Sequence, residues 1–346
     1  MEADLDRSSQ AHAPPMGFHE AGIDLYAASN AIHTEELLLA RCPGTRALVR
    51  INVAIFIAAA VMVLEFHSIK VVDSGLDWGP ATLGGQWWRI LISMFLHAGL
   101  GHLLGNMWWL WVVGKLTESI FSTRTFLALY FLTGLAGDLA SLAVHPEVHS
   151  AGASGAIFGI TGVAIAALWL GRLPASLLRL TWRIWPLLIF TGLSLYGGAT
   201  NPRIDNAAHV GGLVSGFLLG TLLSRRLDHA DMEHTRRFEK RVFACMGVFL
   251  LLGGISLRLY YREIIPLAAA DQAMEDGRLE EAARIAESVA EKRPADSHVQ
   301  EFLATVNIRK GDDTRAKAAI DRSLALDPKN SKGYRLLIEE ERKRKR

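Results

Sequence analysis

Long apolar segments alternate with short charged loops over the first three quarters of the chain. Most of these segments reach the roughly 20 residues that a helix needs to cross the hydrocarbon core of a bilayer. Only helices and closed barrels satisfy their backbone hydrogen bonds in lipid, and no segment alternates as a barrel strand does. The pattern therefore predicts seven membrane-spanning helices, at residues 50–66, 95–114, 125–144, 152–170, 184–200, 207–223 and 242–260.

Basic residues are unevenly shared between the two sets of loops, which predicts the orientation in the membrane. If the N-terminus is cytoplasmic, the opposite loops hold only Lys70, Arg89 and Arg203. Basic residues are retained on the cytoplasmic side, so we expect a cytoplasmic N-terminus, and seven spans then make the C-terminal region extracytoplasmic. The predicted cytoplasmic loops contain Arg41, Arg46, Arg50, Lys115, Arg124, Arg172, Arg179, Arg183, Arg225, Arg226, Arg236, Arg237, Lys240 and Arg241.

The polar C-terminal quarter of the chain contains an internal repeat. Gly277 and Gly311 are 34 residues apart, and so are Pro294 and Pro328. This spacing is the period of the tetratricopeptide repeat, a helix–turn–helix unit. We expect each glycine at the turn inside a helix pair and each proline at the end of the second helix. A generic pair of amphipathic hairpins is the alternative.

Together these patterns predict an all-α protein, a polytopic membrane helix bundle followed by a small helical-repeat region. We expect four parts along the chain. They are a polar cytoplasmic segment at 1–48, a six-helix core at 49–225, a basic loop with the seventh helix at 226–262, and extracytoplasmic repeats at 263–346.

Composition excludes several other classes of protein. The formal net charge is only +2, which gives no reason to expect nucleic acid as a partner. Cys42 and Cys245 have no metal-binding spacing and do not suggest a disulfide framework. The polar N-terminus lacks the apolar core of a signal peptide, and its acidic residues argue against a transit peptide. We therefore expect a bacterial plasma membrane as the location.

Four polar side chains stand out within the predicted spans, where polar groups are expensive and mark functional sites by default. They are His102 and Asn106 in the second span, Ser154 in the fourth and His209 in the sixth. Each lies in the part of its span nearest the non-cytoplasmic side. The orientation came from loop charges alone, so this common depth is an independent indication that the four residues belong together.

These residue types fit acyl transfer by a serine nucleophile. A serine hydroxyl needs a base to take its proton, and His209 can be that base. The developing oxyanion needs fixed donors, which His102, Asn106 and the backbone N–H of Ser154 can supply. Taken singly, the serine is better explained by a bond to its own helix, and the histidine by packing. The coincidence of all four reverses that preference.

The residues resemble the three sequence blocks of the rhomboid family of intramembrane proteases. The block at 97–109, HAGLGHLLGNMWW, is similar to the family's HxxxxHxxxN pattern. The block at 152–159, GASGAIFG, resembles GxSG with a nearby aromatic, and the block at 208–216, AHVGGLVSG, resembles AHxxGxxxG. The resemblance covers about residues 50–225 and implies a six-helix protease core, which a seventh helix follows here.

The resemblance implies a role for each matching residue. Ser154 is the nucleophile and His209 is the general base, while His102 and Asn106 help to form the oxyanion hole. No metal and no other cofactor is implied. The implied substrates are transmembrane proteins cut within or beside the bilayer, so membrane lipids are partners too. The residues for which the resemblance implies a structural role are Gly152, Gly155, Phe158, Gly212, Gly216, Arg89 and Glu118.

Some alternatives remain open at this level. Asp205 precedes His209 by one helical turn and suggests a triad, but we favour a helix cap at that position. A non-catalytic rhomboid-like protein that binds membrane clients is a second functional reading, although such proteins lose the serine or histidine that this chain keeps. A third is a membrane-anchored scaffold whose repeats bind a protein partner. We favour an intramembrane serine endopeptidase.

Overall fold

A computed structural model describes residues 42–66, 70–171, 182–201, 204–226 and 232–328. Within these ranges the regular secondary structure is helical, apart from one isolated antiparallel bridge between Asp77 and Ser150. The helices are α1 (Pro43–Phe66), α2 (Lys70–Asp73), α3 (Gly79–Leu83), α4 (Trp88–Ser93), α5 (Leu100–Ile120), α6 (Thr123–Val144), α7 (Ser154–Leu170), α8 (Ile184–Thr200), α9 (Asn206–Ser224), α10 (Met232–Tyr260), α11 (Leu267–Glu275), α12 (Leu279–Lys292), α13 (Ser297–Lys310) and α14 (Asp313–Leu326).

All seven predicted spans are helical, but two of the helices begin earlier than hydropathy indicates. α1 begins at Pro43, where Glu118 accepts the backbone N–H groups of Gly44 and Thr45 at 2.9 and 2.8 Å. The predicted end of the polar segment at residue 48 therefore falls inside α1, and residues 1–41 lie outside the described part. α10 begins at Met232, in a polar stretch whose Glu239 accepts a hydrogen bond from Thr125 at 3.1 Å. Tertiary hydrogen bonds extend both helices beyond their apolar segments.

In the part of the chain that the structure describes, four helices are long and apolar enough to cross a membrane: α1, α6, α9 and α10. α7 and α8 are apolar but have 17 residues each, or about 25 Å of helix, which is less than the ~30 Å hydrocarbon thickness. α7 is nevertheless almost wholly buried among other helices, so protein rather than lipid surrounds it. The protein is an integral membrane helix bundle with α7 at its centre.

α7 and α9 pack with their backbones in contact. A Cβ atom placed on Gly212 would lie 2.1 Å from the carbonyl oxygen of Gly155, and one on Gly216 would lie 1.9 Å from that of Gly159. Real side chains cannot approach so closely, so these positions of α9 require glycine. Small residues at such crossings let membrane helices approach each other closely. The close crossing brings the first turns of the two helices together.

The segment between α1 and α5 contains the short helices α2, α3 and α4. Arg89 is buried at the start of α4 and donates hydrogen bonds to the carbonyl oxygens of Asp73 and Leu76 at 3.0 and 2.9 Å. A guanidinium has five donors, so one side chain can fix several turns of an irregular segment. This loop, residues 70–93, forms a folded cap on the bundle.

The helical repeats have the predicted internal turns. α11 and α12 flank Gly277 and α13 and α14 flank Gly311, and both glycines have left-handed backbone, with φ of 77° and 82°. A side chain at either position would strain the turn. Pro294 follows α12 and Pro328 follows α14, as the repeat pattern predicts.

The repeats are docked against the loop of residues 70–93. Trp78, Leu83 and Leu142 share a hydrophobic cluster with side chains from the repeat region, among them Leu267 and Val299. Two hydrogen bonds reinforce this cluster. The Tyr261 hydroxyl donates to the carbonyl oxygen of Ala143 at 2.8 Å, and Arg258 donates to that of Leu83. The repeats therefore lie at the end of the bundle where α6 ends and α7 begins.

Candidate active site

Ser154 and His209 meet across the crossing of α7 and α9. Ser154 is the first residue of α7, and His209 lies in the first turn of α9. The Nε2 atom of His209 is 2.9 Å from the Oγ atom of Ser154, a normal hydrogen-bond distance. The His209 side chain is buried, with 7% of its surface exposed. A hydroxyl and an imidazole in this arrangement can exchange a proton.

The ring of His209 is held on its flat face by Phe158. The two ring centroids are 4.2 Å apart and the planes differ by only 5°. Phe158 follows Ser154 by four residues, so both side chains project from the same face of α7. The stacking limits rotation of the imidazole and leaves its Nε2 atom aimed at the serine.

Asp205 does not complete a catalytic triad. One oxygen of its carboxylate accepts the backbone N–H of Ala208 at 2.9 Å, which caps α9 as we expected from the sequence. The other oxygen accepts hydrogen bonds from the hydroxyls of Ser141 and Ser150, each at 2.6 Å. The Nδ1 atom of His209 is buried without a hydrogen-bond partner in the described part of the chain.

His102 and Asn106 lie beside the turn that precedes the serine. Gly152 has a positive φ of 134°, and a Cβ atom there would be 3.0 Å from Nε2 of His102 and 3.6 Å from Nδ2 of Asn106. Position 152 therefore requires glycine for two reasons: the backbone has a positive φ, and no room is left for a side chain. The Nδ2 group of Asn106 is buried and makes no hydrogen bond within the described residues. It is a donor available to an acceptor in this recess.

The remaining predicted support residues fall into two groups. Gly155, Gly212 and Gly216 lie at the α7–α9 crossing, next to the dyad. Arg89 and Glu118 are away from it, in the loop of residues 70–93 and at the far end of α5. The carboxylate of Glu118 accepts four hydrogen bonds, including one from the Thr123 hydroxyl at 2.7 Å. It ties the start of α1 to the turn between α5 and α6.

Sequence reasoning missed the polar contacts of the turn that leads into Ser154. The Gly152 N–H donates to the carbonyl oxygen of Ser93 at 2.9 Å, and Ser150 exchanges two backbone hydrogen bonds with Asp77 at 2.8 and 3.0 Å. Burial raises the pKa of the Asp77 carboxyl above its ordinary value. The hydrogen bond from Thr82 opposes that shift, and the nearby Asp205 carboxylate reinforces it. No sequence pattern marks these residues, because they meet only after the loops fold.

No group of three or more His, Cys, Asp or Glu side chains suited to a metal ion occurs among the described residues. The imidazole of His209 lies at the serine hydroxyl, and the side chains of His102 and Asn106 lie beside Gly152, two residues before the serine. Acyl transfer by a serine requires residue types of these kinds: a hydroxyl, a base and hydrogen-bond donors for an oxyanion.

Comparison with known proteins identifies two regions of the chain. Residues 84–226 match the rhomboid domain family, and residues 273–338 match the tetratricopeptide repeat family. The first region contains the four polar residues described above. The second covers most of the repeat region.

Three relatives illustrate the range of the matched proteins. The rhomboid protease GluP of Bacillus subtilis is 30% identical over 257 residues, which is 72% of this chain and 48% of GluP. RHOMBOID-like protein 7 of Arabidopsis thaliana is 36% identical over 158 residues, 46% of this chain and 49% of the relative. The inactive rhomboid protein 1 of Rattus norvegicus is 28% identical over 203 residues, 58% of this chain and 23% of the relative.

The chain thus spans about half the length of the first two relatives, and the matched proteins include both a protease and an inactive protein. Domain match, relatives and helical architecture agree with one another. The chain therefore contains a rhomboid domain at residues 84–226 and tetratricopeptide repeats in its C-terminal region.

Proposed function

We propose that the protein is an intramembrane serine endopeptidase that cleaves transmembrane or juxtamembrane segments of membrane proteins. The observation that carries the proposal is the 2.9 Å separation of Ser154 Oγ from His209 Nε2. A buried histidine at this distance from a serine that begins a helix is the arrangement that activates a hydroxyl nucleophile. An inactive rhomboid protein has no need to keep it.

In the proposed reaction, Ser154 Oγ attacks the scissile carbonyl carbon and its proton passes to Nε2 of His209. The carbonyl oxygen becomes an oxyanion, which Asn106, His102 and the backbone N–H of Ser154 stabilise by hydrogen bonds. The C–N bond then breaks as His209 gives its proton to the leaving amine. Water attacks the acyl-enzyme with His209 again as base, which releases the acid product and restores Ser154.

We further propose that the substrate reaches the serine beside α8, the fifth span. α8 makes few contacts with the bundle, and side chains such as Leu193 and Tyr196 are mostly exposed on its surface. Its aromatic attachment to α5 is Phe190, whose ring stacks on Trp109 with centroids 3.6 Å apart. Separation of this pair would open a path between α5 and α8. A helix-breaking sequence would let the substrate unwind into the extended form that the serine needs.

The orientation and location follow from the same proposal. We infer a cytoplasmic N-terminus and an extracytoplasmic C-terminus in a bacterial plasma membrane, because the basic loops lie opposite the end that carries the dyad. The repeats dock at the dyad's end of the bundle, so they belong to the extracytoplasmic side. Tetratricopeptide repeats present surfaces for proteins, and we propose a protein partner for them. Apart from the first boundary, at residue 48, which falls inside α1, we propose the four parts of the chain that the sequence predicts.

The experiment uses the full chain in proteoliposomes with a tagged single-pass membrane protein as substrate. Ser154→Ala and His209→Ala should each abolish cleavage. Ser215→Ala is the matched control, because Ser215 also lies in a membrane helix but donates its hydroxyl to the Gly212 carbonyl of its own helix at 2.9 Å. Cleavage by either dyad variant at the wild-type rate would overturn the proposal in favour of a non-catalytic client-binding protein or a repeat scaffold.

A further inference from the structure

One carboxylate connects the two chain segments that deliver the catalytic pair. Asp205 is four residues before His209 and caps the helix that carries it. Ser150 is four residues before Ser154, and its hydroxyl donates to Oδ2 of Asp205 at 2.6 Å. The contact therefore joins residues that are each four positions before a member of the dyad, on the same side of the α7–α9 crossing.

The other contacts of Ser150 do not duplicate this connection. Its backbone N–H and carbonyl pair with Asp77, which fixes the turn to the loop of residues 70–93. The Gly152 N–H donates to Ser93, which is part of the same loop. Asp205, which caps α9, therefore holds the turn before Ser154 to the helix that carries His209 through a side-chain hydrogen bond.

The hydrogen bond from Ser150 to Asp205 is of a strong type. Both Ser141 and Ser150 are buried, with 3% and 9% of their surface exposed, and each hydroxyl lies 2.6 Å from the same oxygen. Short O–H···O⁻ bonds to a carboxylate are stronger than bonds between neutral groups. An oxygen that accepts two such bonds while its partner oxygen caps a helix has little freedom to move.

We propose that Asp205 is a positioning residue, which sets the distance between Ser154 and His209 by holding Ser150 and the first turn of α9 with one carboxylate. This inference rests on the proposed protease function. Asp205 touches neither the substrate nor the reacting atoms. Its effect reaches the reaction through the geometry of the dyad, to which proton transfer and attack are sensitive.

The two serines provide a matched pair of variants. Ser141→Ala and Ser150→Ala each remove one hydroxyl and one hydrogen bond to the same Asp205 oxygen. Only Ser150 lies in the turn that leads into the nucleophile, whereas Ser141 lies in α6. Both variants keep the Asp205 cap and the charge of the cluster, so we expect similar small decreases in the thermal unfolding midpoint. Asp205→Ala is less informative, because loss of the cap can unfold α9.

The experiment measures kcat and KM for the membrane substrate in proteoliposomes. We expect Ser150→Ala to lower kcat about 10-fold with KM unchanged, as a hydrogen bond to a charged group of this strength permits. Ser141→Ala should keep kcat within about twofold of wild type, because Ser141 belongs to α6 and its bond does not hold the turn that leads into Ser154. Ser150→Thr, which restores a hydroxyl, should recover most of the lost kcat.

Two other results are distinguishable. Equal kcat values for Ser141→Ala and Ser150→Ala, with wild-type enzyme active, would overturn the positioning role and leave the protease proposal intact. Wild-type protein no faster than Ser154→Ala would overturn the proposed function, and the positioning role with it.

Discussion

The ring of Phe158 lies flat against the imidazole of His209, with centroids 4.2 Å apart and an angle of 5° between the planes. The stacking covers one face of the imidazole and does not block its edge, so both ring nitrogens can form hydrogen bonds. Because Phe158 and Ser154 share one face of α7, the nucleophile and the support of its base are parts of one rigid element.

Phe158→Leu should therefore slow the reaction more than it weakens the fold. An aromatic pair contributes about 0.5–1.5 kcal/mol beyond its buried area, so we expect kcat to fall about 2- to 10-fold with KM unchanged. Phe126→Leu is the control, because Phe126 is equally buried in α6 but lies away from the dyad. Similar kcat values for the two variants would show that the stacking does not orient His209.

The buried amide of Asn106 is expected to act in the transition state alone. Its Nδ2 group has no partner in the described part of the resting protein and lies next to Gly152. Removal of one oxyanion donor lowers kcat by about 100-fold or more in serine hydrolases. We expect Asn106→Ala to lower kcat by about that factor with little change in KM.

Asn52→Ala is the matched control for Asn106→Ala. Asn52 is also a buried amide in a membrane helix, but its Nδ2 group donates to the Leu48 carbonyl at 2.8 Å. Its loss should lower the thermal unfolding midpoint and leave kcat of the folded enzyme unchanged. An Asn106→Ala variant with full kcat would remove Asn106 from the oxyanion hole.

Much of this arrangement could be predicted from the sequence because lipid makes polar residues conspicuous. His102, Asn106, Ser154 and His209 lie in otherwise apolar spans, so each has to be explained. The beginnings of α1 and α10 were not predictable in the same way. Their first turns are polar, and the contacts that hold them come from other parts of the fold: Glu118 accepts hydrogen bonds from the start of α1, and Thr125 of α6 donates one to Glu239 of α10. The helices of the loop at residues 70–93 are too short to produce a periodic pattern.

The Asp205–Ser150 contact was hidden for a different reason. Both residues are polar, lie in turns and have ordinary local explanations, Asp205 as a helix cap and Ser150 as a loop residue. Their proximity depends on the crossing of α7 and α9, which is a tertiary feature. The docking of the repeats could not be predicted either, because it brings Val299 and Leu142, which are far apart in the sequence, into one hydrophobic cluster.

The crossing itself can be tested at Gly216. A methyl group there would overlap the Gly159 carbonyl oxygen at 1.9 Å, so the two helices would have to separate. Overpacking of this kind usually costs about 1–3 kcal/mol, and we expect Gly216→Ala to lower the free energy of unfolding by at least that much. Gly247→Ala in α10 is the control, because nothing lies within 4 Å of the added methyl. Equal unfolding free energies for the two variants, measured by denaturant titration in detergent, would contradict the close crossing.

The proposed path beside α8 predicts that its aromatic attachment slows substrate access. Phe190→Ala removes the stacking on Trp109, which is worth about 0.5–1.5 kcal/mol, and should raise kcat/KM for a membrane-embedded substrate about 2- to 10-fold. Acylation of Ser154 by a small water-soluble serine-reactive probe should keep its wild-type rate. Leu193→Ala is the control, since Leu193 is 67% exposed on the same helix. A Phe190 variant that accelerates both reactions equally, or neither, would contradict access beside α8.

The stability of the repeats should depend on pH through His298 at the start of α13. Its Nε2 atom is 3.2 Å from the carboxylate of Glu147 in the rhomboid domain, and its Nδ1 atom is 3.5 Å from that of Glu301. The hydrogen bond to Glu301 raises the pKa of His298 above 6.5, burial opposes this, and Glu147 and Asp296 raise it further. Glu147 is also 3.6 Å from His145 of its own loop. Of the three carboxylates that raise the pKa of His298, only Glu147 lies outside the repeat region.

A pKa that is raised in the folded protein means that folding of the repeats favours the protonated ring. This contribution to stability is complete below the unfolded pKa near 6.5 and is lost as the pH rises through the folded value. We therefore expect limited proteolysis within the repeats to be slower below about pH 6 than above about pH 8. His298→Gln should remove most of this difference. His145→Gln should keep it, because His145 lies in the same loop as Glu147 and not in the repeats. Equal pH dependence in wild type and His298→Gln would show that protonation of His298 does not stabilise the repeats.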